Sequence, residues 1–152
     1  DGPWMLMRTF SKAYALAGLR VGYGFLNDPA MVDAYVNLKP MFNVTSVAQA
    51  AAAAAWQETD WRDDMLDLCA AQRTRIVEGL TALGAQPYRT VANYVTSRLD
   101  RPAGPVARAL LDKGVIAGAL HDPGFEDCLR VSTGTAADTD AFLAAMTEIL
   151  GD

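Results

Sequence analysis

Hydrophobic and polar positions at the start of the chain predict two short strands joined by a polar turn. Residues 4–8 form an apolar run of strand length, and residues 19–26 form a second run that Gly22 and Gly24 interrupt. Between them lies Thr9-Phe10-Ser11-Lys12, where hydroxyl and amine side chains replace most of the apolar ones. The pattern therefore predicts a polar turn directly after a buried strand.

Two helices are predicted after the second strand. Pro29 suits a first helical turn, and apolar side chains then recur at helical spacing until Lys39-Pro40 ends the helix. Ser46 is predicted to cap an alanine-rich helix that continues through Trp56. The small side chains at 50–55 favour close packing of this helix rather than ligand binding.

A long helix is predicted next, followed by a change to short elements. Thr59 or Asp60 can cap the helix, which ends near Gly84. The later elements are predicted as a strand at 93–98, a helix at 104–113, a strand at 114–117, a strand at 128–132 and a helix at 138–150. The sequence thus predicts an α/β protein with two structural parts joined by a helix.

Composition and charge narrow the class of protein. Half of the 152 residues are hydrophobic, no apolar stretch is long enough for a membrane span, and no signal peptide is evident, so a cytoplasmic protein is expected. The net charge of −5 argues against a nucleic-acid partner. Cys69, Cys128 and the single His121 predict neither a metal site nor a disulfide framework. Because Asp1-Gly2-Pro3 lacks an initiator Met, we expect a fragment of a longer protein.

Lys12 is the candidate for covalent chemistry. A lysine attaches to an aldehyde through its neutral amine, and a nearby cation such as Arg20 favours that form. The hydroxyls of Thr9 and Ser11 and the Arg20 guanidinium can donate hydrogen bonds to a phosphate. The run therefore suits a phosphorylated aldehyde. The alternative is a surface lysine in a polar turn beside an unrelated arginine.

The run from Arg8 to Gly24 resembles the cofactor-lysine motif of the class I/II aminotransferases, the fold-type I enzymes that use pyridoxal 5'-phosphate (PLP). Within this family it is similar above all to the histidinol-phosphate aminotransferase branch. The resemblance implies that Lys12 holds PLP and serves as the catalytic base and acid. It also implies that Thr9, Ser11 and Arg20 help to bind the cofactor.

The resemblance implies a fold and a domain organisation as well. The chain is expected to be the C-terminal part of a fold-type I PLP-dependent transferase. Residues 1–56 would belong to the PLP-binding large domain, 57–84 would form a linking helix, and 85–152 would form a small α/β domain. The aspartate and the aromatic residue that contact the cofactor ring in the family lie upstream of the lysine, outside this chain. We therefore expect the chain by itself to be inactive and poorly soluble.

A second match concerns the substrate. Residues 128–135 resemble the family strand whose arginine binds the acidic group of the substrate, which implies this role for Arg130. Asn93-Tyr94-Val95 matches a small-domain strand and implies that Asn93 lines the site. Taken alone, Arg130 is more simply explained as a strand residue in a surface ion pair, and it is the lysine motif beside it that favours the substrate role.

The resemblance implies a reaction and several alternatives. The expected activity moves an amino group between an amino donor, which is histidinol phosphate or an aromatic amino acid, and a 2-oxo acid. The expected 2-oxo acid is 2-oxoglutarate. The intact enzyme is expected to be a homodimer. Histidinol-phosphate enzymes often carry another arginine where Ala117-Gly118-Ala119 stands here, which weighs against that donor. A related PLP-dependent decarboxylase and a noncatalytic α/β interaction module are the alternatives.

Overall fold

The computed structural model describes residues 2–151, which divide into two compact units, the first ending at Met65 and the second beginning at Leu66. The first unit contains β1 (Met5–Thr9), β2 (Gly22–Leu26), α1 (Pro29–Leu38), α2 (Ser46–Gln57) and the start of α3 (Thr59–Ala82). The second contains the rest of α3 with β3 (Gln86–Pro87), β4 (Tyr94–Arg98), α4 (Ala103–Asp112), β5 (Gly118–Ala119), β6 (Cys128–Ser132) and α5 (Ala136–Leu150). The predicted α/β class is confirmed.

The strands of the first unit form an antiparallel pair. Met5 lies opposite Leu26 and Thr9 opposite Gly22. The second strand begins at Gly22 rather than at Leu19, because Ala17–Leu19 form a 3-10 turn and Arg20 adopts a left-handed φ of 52°. A Cβ at position 22 would lie 2.6 Å from the Arg8 carbonyl oxygen, so this close approach of the strands requires glycine.

The two helices of the first unit begin at side-chain caps. The Asp28 carboxylate accepts hydrogen bonds from the amides of Ala30 (2.8 Å) and Met31 (3.2 Å), and Pro29 occupies the first turn as predicted. The cap of α2 is Thr45, whose hydroxyl accepts from the Ala48 amide at 3.1 Å. The prediction of Ser46 as the cap is wrong by one residue, because Ser46 is already helical.

Helix α3 runs through the boundary between the two units and ends in a left-handed glycine. Gly84 has a φ of 82°, and the next amide, that of Ala85, donates to the Leu80 carbonyl at 3.0 Å. The helix is therefore continuous over the range the sequence predicts. No helix within residues 2–151 combines the length and the apolar character needed to cross a bilayer.

The second unit is an antiparallel sheet with one face in a hydrophobic core. The strand order is β3-β4-β6-β5. Val95 and Leu129, from adjacent central strands, are fully buried, whereas Tyr94 and Arg130 point to the exposed face. The core also draws on helices α3, α4 and α5, through residues that include Ile76, Leu80, Val106, Leu110, Phe142 and Met146.

The strand predicted at 114–117 is wrong. The amides of Gly114 and Val115 donate to the carbonyls of Leu111 and Leu110, both at 2.9 Å, so these residues terminate α4. The strand that pairs with β6 on the side away from β4 is instead the two-residue β5. The two-residue β3 was not predicted, and α5 begins two residues before the predicted Asp138.

Candidate active site

The polar turn after β1 is held by its own hydroxyl groups. The Thr9 hydroxyl donates to Ser11 Oγ at 2.8 Å and accepts from the Ser11 amide at 3.0 Å. This leaves the Ser11 hydroxyl hydrogen free for an external acceptor. Lys12 follows directly and its side chain is exposed. The turn therefore presents a hydroxyl donor and an amine side by side.

The ladder between β1 and β2 brings Arg20 to the same turn. The Phe10 amide donates to the Val21 carbonyl at 3.1 Å, which continues the pairing one step beyond Thr9 and Gly22. Ser11 and Arg20 come directly after that step on the two strands. The Arg20 side chain donates through Nη1 to the Ala17 carbonyl at 2.8 Å. Within residues 2–151 its other N–H groups have no hydrogen-bond partner.

An aromatic cluster of Phe10, Tyr14, Tyr23 and Trp56 lies against the turn. Phe10 is buried, and its ring centroid lies 4.7 Å from that of Tyr14, 5.8 Å from Tyr23 and 6.1 Å from Trp56. The Leu16 amide also donates to the Phe10 carbonyl at 3.0 Å and closes the loop. Sequence reasoning missed this cluster, although the aromatic residues on either side of Lys12 were a signal. The cluster anchors the segment that carries Lys12.

Arg62 adds a polar contact to the same cluster. Its guanidinium pairs with Asp63 at 2.8 Å and faces the Tyr14 hydroxyl. The pKa of Arg62 is raised above its ordinary value, first by the hydrogen bond with the Tyr14 hydroxyl and then by Asp63. Through Tyr14 and Arg62, the aromatic cluster is connected to the first turn of α3.

Arg130 lies on the exposed face of the sheet in the second unit. It is opposite Thr96 on β4 and Gly118 on β5. Its guanidinium carbon lies 5.1 Å from the centroid of the Tyr94 ring. Arg130 forms no ion pair with any residue in the described range 2–151, so the surface ion pair considered as its alternative role is absent there.

Asn93 is fixed through its backbone next to this strand. Its carbonyl accepts from the Thr133 amide at 2.9 Å and from the Thr133 hydroxyl at 3.1 Å. Cys69 Sγ lies 3.1 Å from the same hydroxyl, and Arg73 donates to the Ala92 carbonyl at 3.1 Å. Sequence reasoning missed Thr133, Cys69 and Arg73. They join α3 and the end of β6 to the segment that carries Asn93.

The predicted residues therefore form two local groups. Thr9, Ser11, Lys12 and Arg20 lie together at one end of the first unit's strand pair, and Asn93 and Arg130 lie on adjoining parts of the second unit's sheet. The first group combines an accessible amine with hydroxyl and guanidinium donors. This donor set fits a ligand with an aldehyde and a phosphate. The second group offers a guanidinium without a carboxylate partner among the described residues, which fits an acidic group.

Comparisons with known proteins identify the family of the chain and several relatives. The sequence model of aminotransferase class I and II matches residues 1–146. Histidinol-phosphate aminotransferase 2 of Caulobacter vibrioides is 44% identical over 147 residues, which are 95% of this chain and 38% of that protein. Histidinol-phosphate aminotransferase 3 of Rhizobium meliloti is 36% identical over 146 residues, or 96% and 40%.

A solved structure gives the same result for the fold. Histidinol-phosphate aminotransferase from Sinorhizobium meliloti, in complex with pyridoxal-5'-phosphate, is 30% identical with a TM-score of 0.82 and covers 97% of this chain and 41% of that one. The chain spans about two fifths of the length of the curated relatives it matches. Because the family match extends over nearly the whole sequence, the chain belongs to the aminotransferase class I and II family.

Proposed function

We propose that this chain carries the cofactor lysine and the substrate-binding arginine of a PLP-dependent aminotransferase. The reaction moves an amino group between an amino donor and a 2-oxo acid, with 2-oxoglutarate as the expected acceptor. The observation that carries the proposal is the first local group, in which Ser11, Lys12 and Arg20 lie at one end of the β1–β2 pair. Its donors match a phosphorylated aldehyde, and the family match points to the same cofactor.

The first group is proposed to hold PLP. Thr9 orients Ser11, whose hydroxyl donates to the phosphate together with the Arg20 guanidinium. Lys12 Nζ is exposed and is available for attachment to the aldehyde. When bound, PLP supplies an electron sink for the electron pair released at the substrate Cα.

Lys12 is also proposed to move the proton. Once the substrate amine has replaced it, Lys12 Nζ removes the proton from the substrate Cα and delivers it again within the same site. A base held beside the substrate makes this proton transfer local rather than bimolecular. One residue can therefore serve both as the attachment point and as the base and acid.

Arg130 is proposed to bind the acidic group of the substrate, and Asn93 to line the same region. A guanidinium fork binds a carboxylate or a phosphate with two parallel hydrogen bonds, so one arginine can serve both substrates of a transaminase in turn. The names of the relatives support histidinol phosphate as the donor. Gly118, opposite Arg130, adds no second cation there, which weighs against a phosphorylated donor, and an aromatic amino acid is the alternative donor. A homodimer is part of the proposal for the intact protein.

The test is to locate the attachment point of the cofactor in the full-length polypeptide that carries this sequence. The protein is incubated with PLP, reduced with borohydride and mapped by peptide mass spectrometry. Lys12→Ala is compared with Lys39→Ala, which removes another exposed lysine of the first unit. We expect wild type and Lys39→Ala to carry the cofactor on the peptide with residue 12. Lys12→Ala should lose the label and lose about 10²-fold or more in turnover.

Other outcomes would redirect the assignment. Label on a different peptide would contradict the role of Lys12. No label on any peptide would favour a noncatalytic interaction module. Label on Lys12 together with release of carbon dioxide, without amino transfer to 2-oxoglutarate, would indicate a decarboxylase.

A further inference from the structure

We propose that Tyr94 is a positioning residue that holds the Arg130 guanidinium ready for the acidic group of the substrate. The inference rests on the proposed role of Arg130 and concerns Tyr94, a residue to which the sequence analysis assigned no role. It is carried by the contact between the Tyr94 ring and the Arg130 guanidinium carbon, at 5.1 Å from the ring centroid.

The strand register creates this contact. Tyr94 lies opposite Ser132, and Thr96 lies opposite Arg130, so Tyr94 and Arg130 are diagonal neighbours on adjacent strands. Successive side chains of a strand point to opposite faces of the sheet. Val95, next to Tyr94, and Val131, next to Arg130, are both buried, so Tyr94 and Arg130 point to the exposed face. Diagonal neighbours on one face are within reach of each other when one side chain is aromatic and the other is long.

The chemistry of the contact suits a ligand-binding arginine. A cation held over a ring face is attracted by the π-electrons and uses none of its N–H donors for that interaction. A carboxylate partner would instead occupy the same N–H fork that a substrate acid needs. Tyr94 can therefore restrict the Arg130 side chain while it leaves the donors available.

Arg98, on the same face of β4, provides the contrast. It pairs with Asp127 at 3.5 Å and donates to the Gly124 carbonyl at 3.1 Å. Its pKa is raised, first by the Tyr88 hydroxyl and then by Asp127. Arg98 thus has an acid and a carbonyl as partners within the protein, although its Nε has no hydrogen-bond partner among residues 2–151. Of the two arginines that β4 and β6 place on this face, only Arg130 has a ring and no acid as its partner within residues 2–151.

The position opposite Arg130 on the other side leaves room for a ligand. Gly118 has no side chain, and a Cβ built there would meet only the Arg130 carbonyl oxygen, at 3.9 Å. Arg130 therefore has the Tyr94 ring on one side, and on the other side the facing residue, Gly118, contributes no side chain. The Arg130 side chain loses conformational entropy when it binds an acid. Because the Tyr94 ring restricts this side chain before binding, the entropy lost on binding is smaller.

The experiment compares Tyr94→Phe and Tyr94→Leu in the full-length, PLP-loaded protein, with L-glutamate as the amino donor for the reverse of the transfer to 2-oxoglutarate. We expect Tyr94→Leu to raise KM for L-glutamate by about 3- to 10-fold, the range that a cation–π contact supports. The value of kcat should stay within about 2-fold, because the contact acts on binding rather than on the chemical step. Tyr94→Phe keeps the ring and should match wild type. Tyr88→Leu is the control for loss of another exposed tyrosine of the same unit.

A double-mutant cycle separates the inference from the proposed function. Arg130→Ala should raise KM for L-glutamate strongly, and adding Tyr94→Leu to Arg130→Ala should then change KM no further. If Arg130→Ala leaves KM unchanged, the proposed role of Arg130 fails and the inference fails with it. If Arg130→Ala raises KM but Tyr94→Leu does not, only the role of Tyr94 is overturned.

Two further outcomes would also overturn the inference. If Tyr94→Phe behaves like Tyr94→Leu, the hydroxyl rather than the ring is responsible. If Tyr88→Leu raises KM as much as Tyr94→Leu, the effect is a general one on the unit. Circular dichroism establishes that each variant is folded, and Tyr94→Thr, which also suits a strand, replaces Tyr94→Leu if the latter does not fold.

Discussion

Two glycines at helix ends have opposite backbone requirements. Gly84 follows α3 with a φ of 82°, a left-handed conformation that side chains with a Cβ disfavour. Gly104 lies in the first turn of α4, has no left-handed φ, and a Cβ there would meet nothing within 4 Å. The same substitution should therefore have opposite effects at the two positions.

We predict that Gly84→Ala lowers the free energy of unfolding by about 1 kcal/mol, because alanine is strained at this φ. Gly104→Ala should leave it unchanged or raise it by up to about 1 kcal/mol, since alanine favours the helix and restricts the unfolded chain. Urea denaturation followed by circular dichroism measures both. Equal destabilisation by the two substitutions would contradict the role assigned to the Gly84 backbone.

The candidate site shows at the residue scale what a sequence can and cannot provide. Local order along the chain was enough to predict that Thr9, Ser11 and Lys12 share a turn, because a turn is made of sequence neighbours. The aromatic support of that turn depends on Trp56 and on Tyr23, which lie far along the chain or on the facing strand. Their contacts come from tertiary packing, which hydrophobic periodicity does not specify. The catalytic roles of the site residues stay predictions.

At the scale of elements, α5 begins with a reciprocal cap. The Asp138 carboxylate accepts from the Thr135 amide at 2.8 Å and from its hydroxyl at 2.7 Å, while the Asp138 amide donates to that hydroxyl at 3.2 Å. The hydroxyl of Thr135, followed by its amide, lowers the pKa of Asp138 below the ordinary value. The folded protein therefore favours the ionised carboxylate more than the unfolded chain does.

This cap predicts a pH dependence of stability. A carboxyl group whose pKa is depressed by folding stabilises the protein above the unfolded pKa of about 3.9, and the contribution is lost as the pH falls through the folded pKa. We therefore expect Asp138→Asn to be less stable than wild type at neutral pH, and the difference to shrink as the pH falls below about 4. Urea denaturation of both proteins at pH 7 and pH 3 measures this. A difference that stays constant with pH would contradict the carboxylate cap.

Helix and strand boundaries were predicted less well than the elements themselves, for reasons particular to each. Thr45 and Ser46 are adjacent hydroxyl residues and both can cap, so the choice between them depends on which residue is extended in the fold. The apolar residues at 115–117 have the composition of a strand, but the backbone there first completes the end of α4. The two-residue β3 and β5 are too short to produce an alternating pattern.

At the scale of the whole molecule, the two units differ in the size of their cores. Among residues 2–151, the buried core cluster of the second unit contains thirteen hydrophobic residues, and that of the first contains four, Phe10, Val21, Ala48 and Ala52. The first unit also exposes large apolar side chains on its strand pair, including Leu6, Met7 and Phe25. A two-stranded pair with a small core is only marginally stable by itself. A four-stranded sheet that packs against helices can be stable independently.

This difference predicts how the 152-residue chain exchanges its amide hydrogens with solvent. We expect the amides of β4 and β6 to exchange slowest, because opening the pairs around Val95 and Leu129 disrupts the larger core. The amides of β1 and β2 should exchange faster, since few buried contacts oppose their opening. Mass spectrometry of peptides after timed exchange measures both groups in one sample.

Two variants connect the exchange rates to packing. Leu129→Ala removes a fully buried side chain, at a cost of about 2–5 kcal/mol, and should accelerate exchange in β4 and β6. Leu6→Ala alters an exposed position of β1 and should leave exchange in β4 and β6 unchanged. If β1 and β2 are as well protected as β6 in the wild-type chain, core size does not govern local stability here. The strands that carry the polar turn with Lys12 would then be more stable against local opening than the four buried residues of the first unit explain.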